Sequence, residues 1–395
     1  MQTAIHRLLG LCFFCVLALP LCGKIFEWDV APRLVGVETP VKVPDFGWIG
    51  WHDGAISQWL NKRAELDLGM RKTFIRTENQ INWKVFGTLN THIFAGKDNV
   101  LFSANYSDGS DWCNEQVRQH IGRLTKTLAT AQRALADHDI MMVPVVSANK
   151  STFQRDALPP ALARVAAIDV PTRVDVFRAA AEENDLHYLD GPRFLEDLKP
   201  RALAPAFAKG GVHWSNYAGA EVLLELLRQL KERSSKDFFD YAIVDTHWHN
   251  PPRPPDRDLA KLANIWTQPD LYEPAMDVTI GPVPGTGTVH PRVLFVGTSF
   301  CWNMTLRKGT ESLGALEVYY YNKSRFIVEG ETKTKVGPAP DPTAPDFLAK
   351  LAAFDLIVVE GNENSIIVMQ YDKLFHALGA KKKRPKKPKR NGRGR

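Results

Sequence analysis

Apolar residues follow two rhythms along this chain. Between 114 and 137, Val117, Ile121, Leu124, Leu128 and Leu135 recur at spacings of three, four and seven, the stripe of an amphipathic helix. IMMVPVV (140–146) then runs apolar without alternation and is short enough to be a strand buried on both faces. The alternation repeats. A helical segment at 172–184 leads to LHYL (186–189), and a helix over 216–233 follows HWS (213–215). VLFVG (293–297), LEVYYY (316–321) and DLIVVE (355–360) read as further buried strands. Residues 51–86 read as helical, and HIFAGKDNVLF (92–102) as strand, turn and strand with Gly96, Lys97 and Asp98 at the turn. Buried strands alternating with helices predict an α/β fold, a mostly parallel sheet with helices on both faces. NPPRPPD (250–256) and VGPAPDPTAP (336–345) read as surface loops, and there is no internal repeat.

The N-terminus departs from this pattern. LLGLCFFCVLALPLC (8–22) is an unbroken apolar run of 15 residues behind Arg7. A spanning helix wants about 20 apolar residues, so the run suits an export signal. Leu21 and Gly23 make a poor cleavage site, and Leu21 is too bulky for lipoprotein processing at Cys22. The expected organisation is an export signal or membrane anchor over 1–23, one domain over 24–380, and a disordered polybasic tail over 381–395. The expected compartment is the periplasm, with the domain soluble or held at the inner membrane by the N-terminal segment. There, Cys113 and Cys301 would be free to form a bridge. The net charge of +6 comes from the tail, whose ten Lys/Arg leave 40 basic against 44 acidic residues, or −4, in the rest. A nucleic-acid partner is therefore not expected. No Cys/His spacing in the body suits zinc.

The sharpest chemical feature is VLFVGTSFCWN (293–303). A buried strand ends at Gly297, and Ser299 stands on the following turn, where α/β sheets place their ligands and a nucleophile is exposed. A serine needs a base. Two His-Trp pairs offer one: His213 in GGVHWSNYAG, and His247 beside Asp245 in VDTHWHN. Ser215 would cap the helix that follows His213. Glu360 and Glu363 lie near a strand end, but without a known separation they do not argue for glycoside hydrolysis.

Taken together, these segments resemble the alginate O-acetyltransferases of the AlgJ/AlgX type, which carry an SGNH-hydrolase-like domain. INWKVFGTLNTHIFAGKDNVLF (81–102), VPVVSANKSTF (143–153), HWSNYAGAEVLLELL (213–227), GTSFCWN (297–303) and FDLIVVEGNENSI (354–366) resemble successive family blocks in order and spacing. Asn99 and Val100 replace a Gly-Trp pair of the first block. The resemblance implies a circularly permuted order, with histidine before serine. It also implies that Ser299 takes an acetyl group while His213 acts as base, first toward Ser299 and then toward a sugar hydroxyl. The family's histidine follows an Asp-x-His-Trp pattern, but Gly211 stands where the acid belongs. That string recurs at 245–248, which keeps His247 with Asp245 as an alternative pair. The order of blocks and the following helix favour His213. Asp258, which also reads as a helix-start residue, is a further source of the acid. The backbone N–H of Ser299 and the side chain of Asn362 are candidates for an oxyanion site, and Trp214 and Trp302 for a sugar-binding surface.

The implied function is an exported polysaccharide O-acetyltransferase working through an acetyl-serine on an alginate-like or cellulose-like polymer. No cofactor or metal is expected. The implied partners are the polysaccharide and a membrane-bound acyltransferase that delivers acetyl groups. An SGNH-type acetylesterase and a non-catalytic polysaccharide-binding or scaffold subunit are the alternatives. A carboxylate within reach of the His213 ring would count against the last.

Overall fold

The computed structural model describes residues 2–36, 43–89, 92–106, 113–166, 171–268, 270–306 and 309–366. The polybasic tail lies outside these residues. In chain order the strands are β1 (Ile93–Ala95), β2 (Leu101–Ser103), β3 (Met141–Ser147), β4 (Leu189–Asp190), β5 (Tyr241–His249), β6 (Ala275–Pro282), β7 (Arg292–Gly297), β8 (Ala315–Tyr320), β9 (Ser324–Glu329), β10 (Thr332–Pro338) and β11 (Leu356–Asn362). Seven of them form the central sheet, in the order β10-β9-β8-β7-β11-β3-β4. The run from β8 to β4 is parallel, and β9 and β10 add an antiparallel arm at one edge. The sheet is therefore mostly parallel, as the unbroken apolar runs predicted.

Period-two geometry splits each central strand between two cores. Val143 and Val145, Val293 and Phe295, and Leu356 and Val358 face one core, which the helix Asn216–Arg233 covers. Met142 and Val146, Leu294 and Val296, and Ile357 and Val359 face the other, beneath the helices Glu115–Ala136 and Arg173–Glu183. The predicted stripe of the first of these helices is where it packs, with Ile121, Leu124, Leu128 and Leu135 fully buried. Asn114 caps it by accepting from Val117 N–H, and Thr172 and Asp175 form a reciprocal capping box on the second. Cys113 packs with the second core and Cys301 with the first. Both are free thiols, separated by the sheet, so they do not form the bridge considered above.

Several elements depart from the pattern reading. The helical stretch at 51–86 contains two longer helices, Ala55–Asp67 and Arg71–Phe86, separated by a turn in which Met70 has φ +58°. Gly69 approaches the N-terminal helix so closely that a Cβ there would overlap Pro20 O, so the chain turns at that point. β5 and β6 form a separate antiparallel pair. Most of β5 is exposed, which hid it from an argument based on apolar runs. The Pro-rich segment at 336–345 begins inside β10. The N-terminal helix, Gln2–Ile25, holds a 21-residue stretch long and apolar enough to cross a membrane, with almost none of it buried.

Candidate active site

The serine turn is built around a buried carboxylate. β7 ends at Gly297, where a Cβ would overlap Cys301 Sγ and sit 2.7 Å from Glu360 Oε2. Only glycine permits so tight an exit. Glu360, on neighbouring β11, is fully buried and accepts from Thr298 N–H (2.7 Å), Thr298 Oγ1 (2.8 Å) and Ser147 Oγ. Burial raises its carboxyl above the usual range. This clamp sets Ser299 just beyond the carboxyl end of a central parallel strand. The short helix Cys301–Thr305 follows.

His213, just ahead of the helix Asn216–Arg233, meets Ser299 directly. Its Nε2 lies 2.7 Å from Ser299 Oγ, and its Nδ1 lies 2.7 Å from Asp258 Oδ2. An ionised carboxylate only accepts, so Asp258 fixes the proton on Nδ1 and leaves Nε2 to accept the Ser299 hydroxyl. Asp258 is itself held, with Oδ1 accepting from Val212 N–H (2.9 Å) and Leu259 N–H (2.7 Å). It opens the helix Asp258–Leu262, so one carboxylate both starts a helix and orients a ring. The His213 side chain is 13% exposed and that of Asp258 24%, largely desolvated but open to a ligand.

The histidine and serine segments are locked together. Trp214 Nε1 donates to Phe300 O at 3.2 Å, and Asn303 Nδ2 donates to Trp214 O at 2.6 Å. Ser215 caps the helix Asn216–Arg233 through Ala218 N–H. Gly219 on that helix abuts Asn303, where a Cβ would lie 2.6 Å from the Asn303 carbonyl carbon. The edge of Phe300 packs on the His213 ring at 4.6 Å between centroids.

Residues 93–308, more than half of the chain, match the family described as "SGNH hydrolase-like domain, acetyltransferase AlgX". The chain belongs to this family. No curated protein sequence matches it. Among solved structures it is similar to the O-acetyltransferase domain of Pseudomonas putida AlgJ, with 16% identity, TM-score 0.40, and coverage of 71% of this chain and 98% of that one. It is also similar to Pseudomonas aeruginosa AlgX (14%, TM-score 0.34, 74% and 69%) and Bacillus cereus PatB1 (8%, TM-score 0.38, 69% and 96%).

The structure accounts for Gly211, where the family pattern has its acid. A Cβ at 211 would press on the Asp256 backbone at 3.2 Å. The segment that brings in Asp258 occupies that space. Several other sequence candidates lie elsewhere. His247 and Asp245 are exposed on β5. The His247 ring packs on His249, and Asp245 Oδ1 accepts from Thr246 N–H, so this pair is not the one that meets Ser299. Asn362 Nδ2 donates to the Ser147 and Ala148 carbonyls, which directs it to the end of β3 rather than to the serine turn. Trp214 is fully buried and braces the site instead of offering a sugar surface. Trp302 is covered by Tyr320, Phe326 and the Lys333 ammonium, 3.8 Å from its ring centroid. The Ser299 N–H has no hydrogen-bond acceptor among the described residues. The sequence reading missed Phe300, Asn303 and Gly219 as braces, and the structural use of Glu360. Among the described residues no group of three or more His, Cys, Asp or Glu is arranged to hold a metal ion.

Proposed function

We propose that this protein transfers acetyl groups onto hydroxyls of an exported polysaccharide through an acetyl-Ser299 intermediate. The observation that carries the reading is the continuous hydrogen-bonded chain Ser299–His213–Asp258 in a member of an acetyltransferase family. Ser299 Oγ attacks the donor's acetyl carbonyl while His213 Nε2 takes its proton. The Ser299 N–H meets the developing oxyanion. Asp258 stabilises the imidazolium, which returns the proton to the departing donor group. A sugar hydroxyl then loses its proton to His213 and attacks the acetyl-serine, and Ser299 leaves with the proton restored.

The same carboxylate favours catalysis over a scaffold role, because Asp258 supplies what Gly211 cannot. In this reading the helix Gln2–Ile25 remains as an anchor and holds the domain on the periplasmic side of the inner membrane. Packing supports retention: Gly23 and Gly69 bring the end of that helix against the Met70 turn, and Lys24 pairs with Asp67 at 3.7 Å. A membrane-bound acyltransferase supplies acetyl groups to Ser299.

The test is acetyl transfer from an activated acetyl ester in the presence of neutral and acidic oligosaccharides, with acetylated sugar and free acetate measured together. Acetylated sugar that disappears with Ser299→Ala is the expected result. Free acetate alone, unchanged by any oligosaccharide, would make the protein an esterase. Neither product would return it to the scaffold class.

A further inference from the structure

A buried lysine lies directly behind the catalytic loop, and the mechanism above does not use it. Lys150 follows β3 and is 1% exposed. Its ammonium donates to three carbonyls: Ala208 O at 2.7 Å, Lys209 O at 2.9 Å and Gly211 O at 2.8 Å. The Phe102 ring closes one side, 5.6 Å away. These carbonyls belong to the last residues before His213.

The backbone of this run is almost fully allocated. Lys209 O also accepts from Leu101 N–H of β2, and Gly210 O accepts from Ala260 N–H, both at 3.0 Å. Gly211 N–H closes a turn onto Ala208 O at 3.2 Å, and Val212 N–H reaches Asp258. The loop is thus tied to β2 and to the Asp258 helix on its outer sides and to Lys150 on its inner side. Without a cation, three carbonyls converging on one point would repel one another, and Gly211 O would be left with no donor among the described residues. Only an ammonium has three N–H groups to give them; a neutral amine has two.

We propose that Lys150 is the positioning residue of this site: its ammonium gathers the 208–211 carbonyls and so sets His213 between Ser299 and Asp258. This rests on the proposed acetyl-serine mechanism. The electrostatics fit the geometry. Burial draws the Lys150 ammonium down to about 7, and Asp258 and Asp256 oppose that shift, so the charged cage depends on those two carboxylates.

The test compares wild type with Lys150→Met and Lys150→Gln in the full chain. A displacement of about 1 Å in a reacting group costs about 100-fold, so Ser299 acetylation by an activated ester should slow about 100-fold in Lys150→Met. The half-saturating ester concentration should not change. The low-field proton resonance of His213 Nδ1–H in its bond to Asp258 should broaden or vanish. Lys150→Gln, which keeps two N–H donors, should fall between. A folded Lys150→Met with wild-type rate and an intact resonance would overturn the proposal, as would a slowed variant whose resonance is unchanged. Should neither variant fold, the wild type decides: nitrogen NMR should show a slowly exchanging Lys150 ammonium, and a neutral, freely exchanging amine overturns the proposal. If wild-type Ser299 accepts no acetyl group, the proposed function fails, and the imidazole resonance still reports whether Lys150 sets the ring.

Discussion

Replacing Asp258 by asparagine tests the orientation of the base more sharply than deleting the side chain. The asparagine carbonyl can still accept from Val212 N–H and Leu259 N–H, which Asp258 Oδ1 holds at 2.9 and 2.7 Å. The stability cost is then only the weakening from charged to neutral bonds, about 1 kcal/mol. The amide nitrogen, however, faces His213 Nδ1, where the carboxylate oxygen lies 2.7 Å away. It donates where the carboxylate accepted. Nδ1 must then be the bare nitrogen, and Nε2 presents its proton to Ser299, which loses its base. Reversing a tautomer in this way lowers turnover on the order of 10⁴-fold, or about 5.5 kcal/mol of barrier. Asp258→Ala leaves two backbone N–H groups without their acceptor but imposes no tautomer. It is expected to be more active than Asp258→Asn, though less stable. The assay is burst release of leaving group from a chromogenic acetyl ester, alongside urea denaturation of each variant. An asparagine variant within tenfold of wild type, or an alanine variant slower than the asparagine one, would refute the orientation argument.

Two further outcomes follow from close packing and burial. Gly219→Ala adds a Cβ 2.6 Å from the Asn303 carbonyl carbon. The helical gain of about 1 kcal/mol from alanine should be outweighed by about 1–3 kcal/mol of overpacking. The melting temperature should drop and acetylation should slow, because the helix behind His213 is pushed from Ser299; a variant with higher stability and full activity would contradict this. Glu360 is raised by burial from its ordinary 4.5. A raised carboxyl makes the folded state hold a proton the unfolded state has lost, so the contribution of Glu360 to stability is fully present below about pH 4.5 and is lost as pH rises through the folded value. Glu360→Gln should lack that slope in urea midpoints measured from pH 4.5 to 8, and identical slopes in the two proteins would contradict it.

Much of the fold was legible because the central strands are buried on both faces and leave unbroken apolar runs. VLFVG, IMMVPVV and DLIVVE each supplied a core strand of the sheet. β5 was not legible because water faces most of it, and β9 and β10 because the edge arm carries only a three-residue apolar run, Phe326 to Val328, between polar and charged residues. Ser299 and His213 were readable from local motifs in a particular order. Asp258 was only half readable: its place at a helix start is a local property, but its second oxygen meets a residue 45 positions away. Lys150 stood within a quoted block, yet its partners are backbone carbonyls, which no pattern of side chains reveals. The place of Trp214 was not legible, because an aromatic beside His213 suits a sugar platform and a buried brace equally well in sequence. Only its burial separates the two.

The most direct test of the central claim is peptide mass spectrometry of the protein after brief incubation with an activated acetyl ester, comparing wild type with Ser299→Ala, His213→Ala and His247→Ala. The account expects an acetyl adduct on Ser299 that is lost in the first two variants and retained in His247→Ala. An adduct absent from wild type, or one that survives His213→Ala and disappears with His247→Ala, would contradict it.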